Sequence, residues 1–197
     1  MKIVEYRGIE GLVYAPITED SSENFTTGEV KELAGTSELT RSTESSSEVH
    51  YYDNMPAITI ESTGSDEVTC TVSAIPLDVL ADITGQVYDA ATDMFVEGAR
   101  ESKYYAIGYK TKKTDGTEVY VWRLKGTFSI PESTHITEDD GTDANGQEIT
   151  YTGISTTHKF TKTGKGAKAV NVLADGKANV TDFFTTVQTP DTIKVKS

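Results

Sequence analysis

The chain has 197 residues, of which 36% are hydrophobic, and a formal net charge of −13. That length suits one domain, or one domain with arms, at about 150 residues per domain; the apolar share is below the roughly 45–50% of an average globular domain, a count that also takes in Gly, so much of the surface is expected to be polar or to lie in extended loops. The charge disfavours nucleic-acid binding, which uses Lys and Arg to neutralise phosphates, and the single cysteine, Cys70, excludes an internal disulfide and a secreted disulfide scaffold.

Charge is unevenly placed: residues 1–100 carry 19 acidic and 5 basic groups, residues 101–197 carry 12 and 13. Solubility is one account of that asymmetry, and complementarity between copies meeting through opposite ends is the other. Met1 to Pro16 alternates charged with apolar residues and lacks the continuous apolar run of a signal peptide. No stretch approaches the 18 or so apolar residues of a membrane span. Synthesis in a cytoplasm is expected, with release by lysis left open.

Residues 18–48 are rich in Ser, Thr and Glu. Composition fits a disordered linker, but alternation also places Thr36, Glu38, Thr40, Ser42, Glu44, Ser46 and Glu48 on one wholly polar face of an extended strand, so residues 18–50 read equally as a polar arm or hairpin ordered by assembly. Ile58 and Ile60 then alternate with Thr59 and Glu61, and Val68, Cys70 and Val72 with Thr69, Thr71 and Ser73, which predicts a hairpin turning at Thr63-Gly-Ser-Asp66. Cys70, on the apolar side, reads as a small core residue rather than a nucleophile. From Ile75 to Gly85 a short helix is predicted, with Pro76 in its first turn, Asp78 near the positive end of the dipole, Gly85 as the stop, and Pro76, Val79, Leu80 and Ile83 on one side.

Tyr104 to Gly126 predicts a second hairpin around Asp115-Gly116, read as a two-residue type I′ turn. That loop pairs Lys113 with Glu118, Thr111 with Tyr120, Tyr109 with Trp122 and Ile107 with Leu124, all on one aromatic core face. An irregular connection over 127–147 leads to a strand around Gln147–Thr157, where Ile149 and Tyr151 alternate with polar residues. Residues 161–197 read as a flexible basic loop around Gly164-Lys-Gly166 and then edge strands at Val170–Ala174 and Val180–Phe184. No internal repeat is apparent.

Chemical motifs fail on spacing. Asp139-Asp-Gly-Thr-Asp143-Ala-Asn145-Gly146 has the oxygen-rich look of a calcium loop, but aligning Gly146 with the required Gly puts Gly141 at the first ligand and Thr152 at the bidentate Glu, so a solvated turn is the better reading. Gly153-Ile-Ser155 lacks the second Gly of a nucleophile elbow. His50, His135 and His158 lack zinc-site spacing, and Gly164-Lys165-Gly166-Ala-Lys168 lacks that of a phosphate loop. Acidic pairs such as Asp78/Asp82 and Asp139/Asp140 carry little weight in so acidic a chain. No catalytic residue, metal ligand or cofactor site is assigned, and a non-enzymatic protein is expected.

The order of elements carries a resemblance. Tyr51-Tyr-Asp-Asn54, Ile58–Ile60, the helix Ile75–Gly85, Ala106-Ile-Gly-Tyr109 and Tyr120-Val-Trp-Arg-Leu-Lys-Gly126 follow one another as in the major tail protein family of long, non-contractile phage tails, especially in phages and prophages of Gram-positive bacteria. The likeness covers roughly residues 5–160. It implies a mainly β subunit, a β-sandwich or barrel of tail-tube type with one short flanking α-helix and extended assembly arms, the whole chain 1–197 forming one domain. It further implies hexameric rings stacked head to tail into a virion tube that encloses the DNA path, with tape measure, distal tail and tail terminator proteins as partners, no membrane and no specific DNA binding. Strand edges left open in a monomer become the assembly device. Carboxylates at Glu38, Glu44 and Glu48 would then line the lumen and repel phosphates over about a Debye length, roughly 8–10 Å; an ordinary solvated loop is the competing account of those three. A carbohydrate-binding, adhesin-like β-sandwich is the main rival, and it would need Trp122 and tyrosines exposed as a sugar platform.

Overall fold

A computed structural model describes residues 3–137 and 145–196. The fold is mainly β, built on a large antiparallel sheet. Its strands are β1 (Tyr6–Asp20), β2 (Phe25–Thr27), β3 (Lys31–Glu32), β4 (Thr36–Tyr52), β5 (Met55–Val72), then helix α1 (Leu77–Thr84), β6 (Val87–Asp89), β7 (Met94–Val96), β8 (Tyr105–Lys113), β9 (Glu118–Phe128), β10 (Glu132–Ser133), β11 (Gln147–Gly153) and β12 (Ala169–Leu173). The main sheet runs β2-β1-β8-β9-β11-β5-β4, with β3 on β1, β10 on β11 and β12 on β9; β6 and β7 form a separate hairpin beside α1. β4 returns against β1, which curls the sheet around its inner face.

Both faces of the central strands are buried. On the inner face Tyr14, Val68, Cys70, Val72, Tyr105, Ile107, Tyr109, Val119, Val121, Ile149 and Tyr151 form one cluster, which α1 closes with Ile83. The outer face is covered by the C-terminal segment: Phe160, Phe183 and Val187 pack on Ala106, Trp122 and Leu124. The Trp122 indole donates to the Phe183 carbonyl at 2.9 Å. Gly108 makes this contact possible, because a Cβ there would lie 3.0 Å from the Phe184 ring and 2.9 Å from Val13.

Double burial overturns the predicted pairing of this hairpin. The partners are Lys112 with Glu118, Tyr109 with Val121, Gly108 with Trp122 and Ile107 with Arg123. Tyr109 and Ile107 therefore belong to the inner cluster and Trp122 and Leu124 to the outer one. The turn is responsible. Gly116 N–H donates to the Lys113 carbonyl and Lys113 N–H to Thr117, with positive φ at Gly116 alone, so the loop has three residues, Thr114-Asp115-Gly116, with Gly116 as the bulge, and not two. One residue of slip exchanges the faces.

Helix α1 ends as expected but starts later: Pro76, expected in its first turn, precedes it with φ −56°, and Gly85 ends it at φ 66° while the Gln86 N–H returns to the Ala81 carbonyl. Its buried side is Ala81, Ile83 and Thr84, whereas Pro76 is exposed. In the C-terminal segment only 169–173 forms a strand. Val180–Phe184 is a turn with Asp182 at φ 59°, because Phe183 is drawn out of an edge and into the outer cluster. The basic loop is tied down as well: Phe160 is buried and bridges to Lys165, and the Asp191 carboxylate accepts the Thr161 and Lys162 N–H groups.

Candidate functional site

The longest local structure is the hairpin of β4 and β5. Its strands pair from Thr36 with Val72 to Tyr52 with Met55, with shifts of register at Thr36/Glu38, Thr43/Ser45 and His50/Tyr51. The turn is Asp53-Asn54, at φ 50° and 61°, the two left-handed residues that a type I′ turn needs and that Asp and Asn tolerate. Thr63-Gly-Ser-Asp66, predicted as the turn, is instead a bulge within one strand: Thr43 pairs with Asp66, and the next pair is Ser45 with Thr63. The extra residue on β5 reverses its phase. Asp66, Val68, Cys70 and Val72 point inward, whereas Ile58 and Ile60, at the same parity, share a face with His50 and Glu48 on the other side of the ribbon. Gly64 admits the Glu44 side chain, which accepts from Ser65 Oγ at 3.0 Å; a Cβ on Gly64 would lie 3.0 Å from that of Glu44.

The hairpin has two halves. β11 pairs with β5 only over Asp66–Val72. Beyond the bulge, residues 44–64 form a two-stranded ribbon that is almost wholly exposed and carries Val49, Tyr51, Tyr52, Met55, Ile58 and Ile60 in the open. Two strands alone are marginal in water, and both outer edges of the ribbon present unmatched backbone groups suited to pairing.

Where the ribbon meets the body, Asp66 is only 4% exposed and gathers cations. Arg123 Nη1 lies 2.7 Å from its Oδ2, Lys168 Nζ 3.3 Å from Oδ1 and Arg41 Nη1 3.9 Å from Oδ2. Thr43 Oγ1 donates to Oδ1 at 2.9 Å, and Lys168 also donates to the Gly64 carbonyl. Burial alone would raise the pKa of Asp66, but the Thr43 and Lys168 hydrogen bonds and the Arg123 charge outweigh it and hold the carboxyl below its ordinary value. Nearby, burial pushes the Cys70 thiol up to about 12, in keeping with a packing role. Beside the cluster opens a groove of about 680 Å³, whose walls include Arg41, Asp66, Tyr109, Val121, Arg123 and Asn171. Arg123 is 5% exposed and its Nε has no hydrogen-bond partner among the described residues.

The three predicted lumen carboxylates keep one parity along β4, because the extra residue of the bulge lies on β5, but they meet different surroundings. Glu38 lies on the rim of the groove opposite Thr71, Glu44 is engaged at the bulge, and Glu48 stands opposite Ile60 with His50 Nε2 at 3.9 Å. The phase reversal in β5 is the reason: it sets Ile60 and Ile58 opposite Glu48 and His50 on that face. Sequence reading missed Asp66, Arg123 and Arg41. The available signal was Arg123 within the apolar run Tyr120–Leu124, since a charge in a buried strand requires a partner.

Trp122 is fully buried and offers no platform for a sugar. His158 stacks edge-on against Phe160, with ring centroids 5.1 Å apart. Asp139, Asp140 and Asp143 lie outside the described residues. Among the described residues, no three His, Cys, Asp or Glu side chains gather as a metal site, and no helix is long and apolar enough to cross a membrane. No protein-family model matches the chain, and no curated protein resembles it in sequence.

Proposed function

We propose that this chain is a structural, self-assembling subunit of a phage-type tail tube, forming hexameric rings that stack into a hollow conduit for DNA. The observation that carries the reading is the projecting ribbon 44–64, which has apolar side chains and two open edges but nothing among the described residues to cover them. A second copy with the same ribbon supplies strand edge for strand edge, and head-to-tail contacts between unlike surfaces close into rings or extend into filaments. The order of elements resembling the major tail protein family supports the same reading, as does the acidic charge of the chain, which disfavours capture of passing DNA. In this reading the protein resides in the virion, works without cofactor or catalysis, and meets tape measure, distal tail and tail terminator proteins along and at the ends of the tube.

A sugar-binding module remains the second reading, favoured only by the exposed Tyr51 and Tyr52 at the ribbon tip. Negative-stain microscopy of the purified chain over a range of concentration and salt separates the two. Rings or tubes are expected, and a chain that stays monomeric throughout refutes the tube.

A further inference from the structure

The groove at the base of the ribbon holds more positive charge than its own acid consumes. Three cations, Arg41, Arg123 and Lys168, converge on the single carboxylate of Asp66. Arg123 is buried yet leaves Nε without an acceptor among the described residues, which is a cost that an incoming acceptor would remove. Arg41 is half exposed at the mouth, and among the described residues its Nη1 is satisfied only by the Thr43 hydroxyl and a distant Asp66. Glu38 stands on the rim, but no ion pair joins it to either arginine among the described residues. Tyr109, Val121 and Leu39 supply the apolar part of the wall, and Asn171 and Thr111 add neutral polar groups.

We propose that this groove is a carboxylate receptor, filled on assembly by an acidic side chain from the ribbon of a neighbouring copy. The inference rests on the self-assembly reading above and names the contact that would lock one copy to the next. The ribbon supplies the ligand: Glu48, Asp53 and Glu61 are all exposed, and neither Asp53 nor Glu61 makes an ion pair among the described residues. A ribbon cannot serve its own base, because it leaves the groove at Thr43 and Asp66 and runs outward at roughly 3.3 Å per residue, which puts Glu48 and Glu61 about 15 Å and Asp53 about 30 Å away, beyond the reach of two side chains. Its acids must therefore reach a different copy. Arginine suits the task because its planar fork can hold a carboxylate through two parallel hydrogen bonds.

Two measurements on the full-length chain test this. Arg41→Glu, at a half-exposed position, should leave the thermal unfolding midpoint of the monomer near that of the parent but weaken polymerisation at least tenfold, as read by light scattering and microscopy. Reversal of one ribbon acid, Glu48→Lys, Asp53→Lys or Glu61→Lys, should restore assembly in the Arg41→Glu background. In parallel, a labelled synthetic peptide of residues 44–64 should bind the parent chain in fluorescence anisotropy, at least tenfold more weakly to Arg41→Glu. Tubes formed normally by Arg41→Glu overturn the receptor while leaving the tube reading intact. Failure of all three reversals to rescue, or peptide binding indifferent to Arg41, also overturns it. Acetate that blocks assembly when ribbon reversals have no effect would assign the groove to a free carboxylate and overturn the ribbon as its ligand.

Discussion

Asp66 joins the ribbon to the body of the fold at the level of a single side chain. It is held by Arg123, Lys168 and Thr43 where the ribbon leaves the body, and removing one member of a buried pair leaves the remaining charge uncompensated, at a cost of about 3 kcal/mol. Asp66→Asn is expected to lower the urea midpoint by a corresponding amount. The sign of its pH dependence follows from its depressed pKa. The carboxylate contributes fully above its unfolded value of about 4, and that contribution disappears as pH falls through the lower folded value. Urea midpoints should therefore be flat above about pH 5 and decline below about pH 4, and Asp66→Asn should reduce that decline. Trp122→Ala tests the outer cluster independently: loss of a fully buried indole and of its bond to Phe183 should cost about 4 kcal/mol in denaturant unfolding.

Elements explain what could and could not be read from the order of residues. The helix was legible because Pro76 and Gly85 mark its limits chemically. Cys70, Ile149 and Tyr151 were legible because strict alternation on half-buried strands names the inner face. The register of β8 and β9 was not legible, since from Tyr105 to Tyr109 and from Val121 to Leu124 every residue is buried, and a pattern apolar at both parities accepts either register. The cover for that second face comes from Phe160, Phe183 and Val187, far along the chain. The bulge at Gly64-Ser65 was misread as a hairpin turn because Thr63-Gly-Ser-Asp66 has turn composition, and it is the pairing with β4 that carries the chain through it as one strand. Gly64→Ala is expected to push against the Glu44 Cβ and cost about 1 kcal/mol, seen as faster amide exchange around Thr43–Ser45 with the inner core unchanged.

For the molecule as a whole, the ribbon should be separable from the fold. Replacing residues 46–62 with Asn-Gly, so that Ser45 and Thr63 close a tight turn across an existing pair, is expected to leave the unfolding midpoint within a few degrees of the parent and to abolish ring and tube formation. Ile58→Ser with Ile60→Ser should do the same more gently, raising the concentration needed for polymerisation at little cost to the monomer, because both side chains are exposed there. Added salt should favour assembly in the parent, since copies carrying −13 repel one another at long range.

The phase reversal in β5 also divides the strand between two kinds of selection. Substitutions at Val68, Cys70 and Val72 harm any copy that makes them, and would be detected by a protease acting on isolated chains. In the proposed polymer, substitutions at Ile58 and Ile60 would harm only a population, and the same protease would pass over them. If the chain polymerises as proposed, a defective ribbon carried on a sound body would enter a growing tube and stop it there, so that ribbon changes would behave as dominant poisons while changes in the inner half would behave as recessive losses.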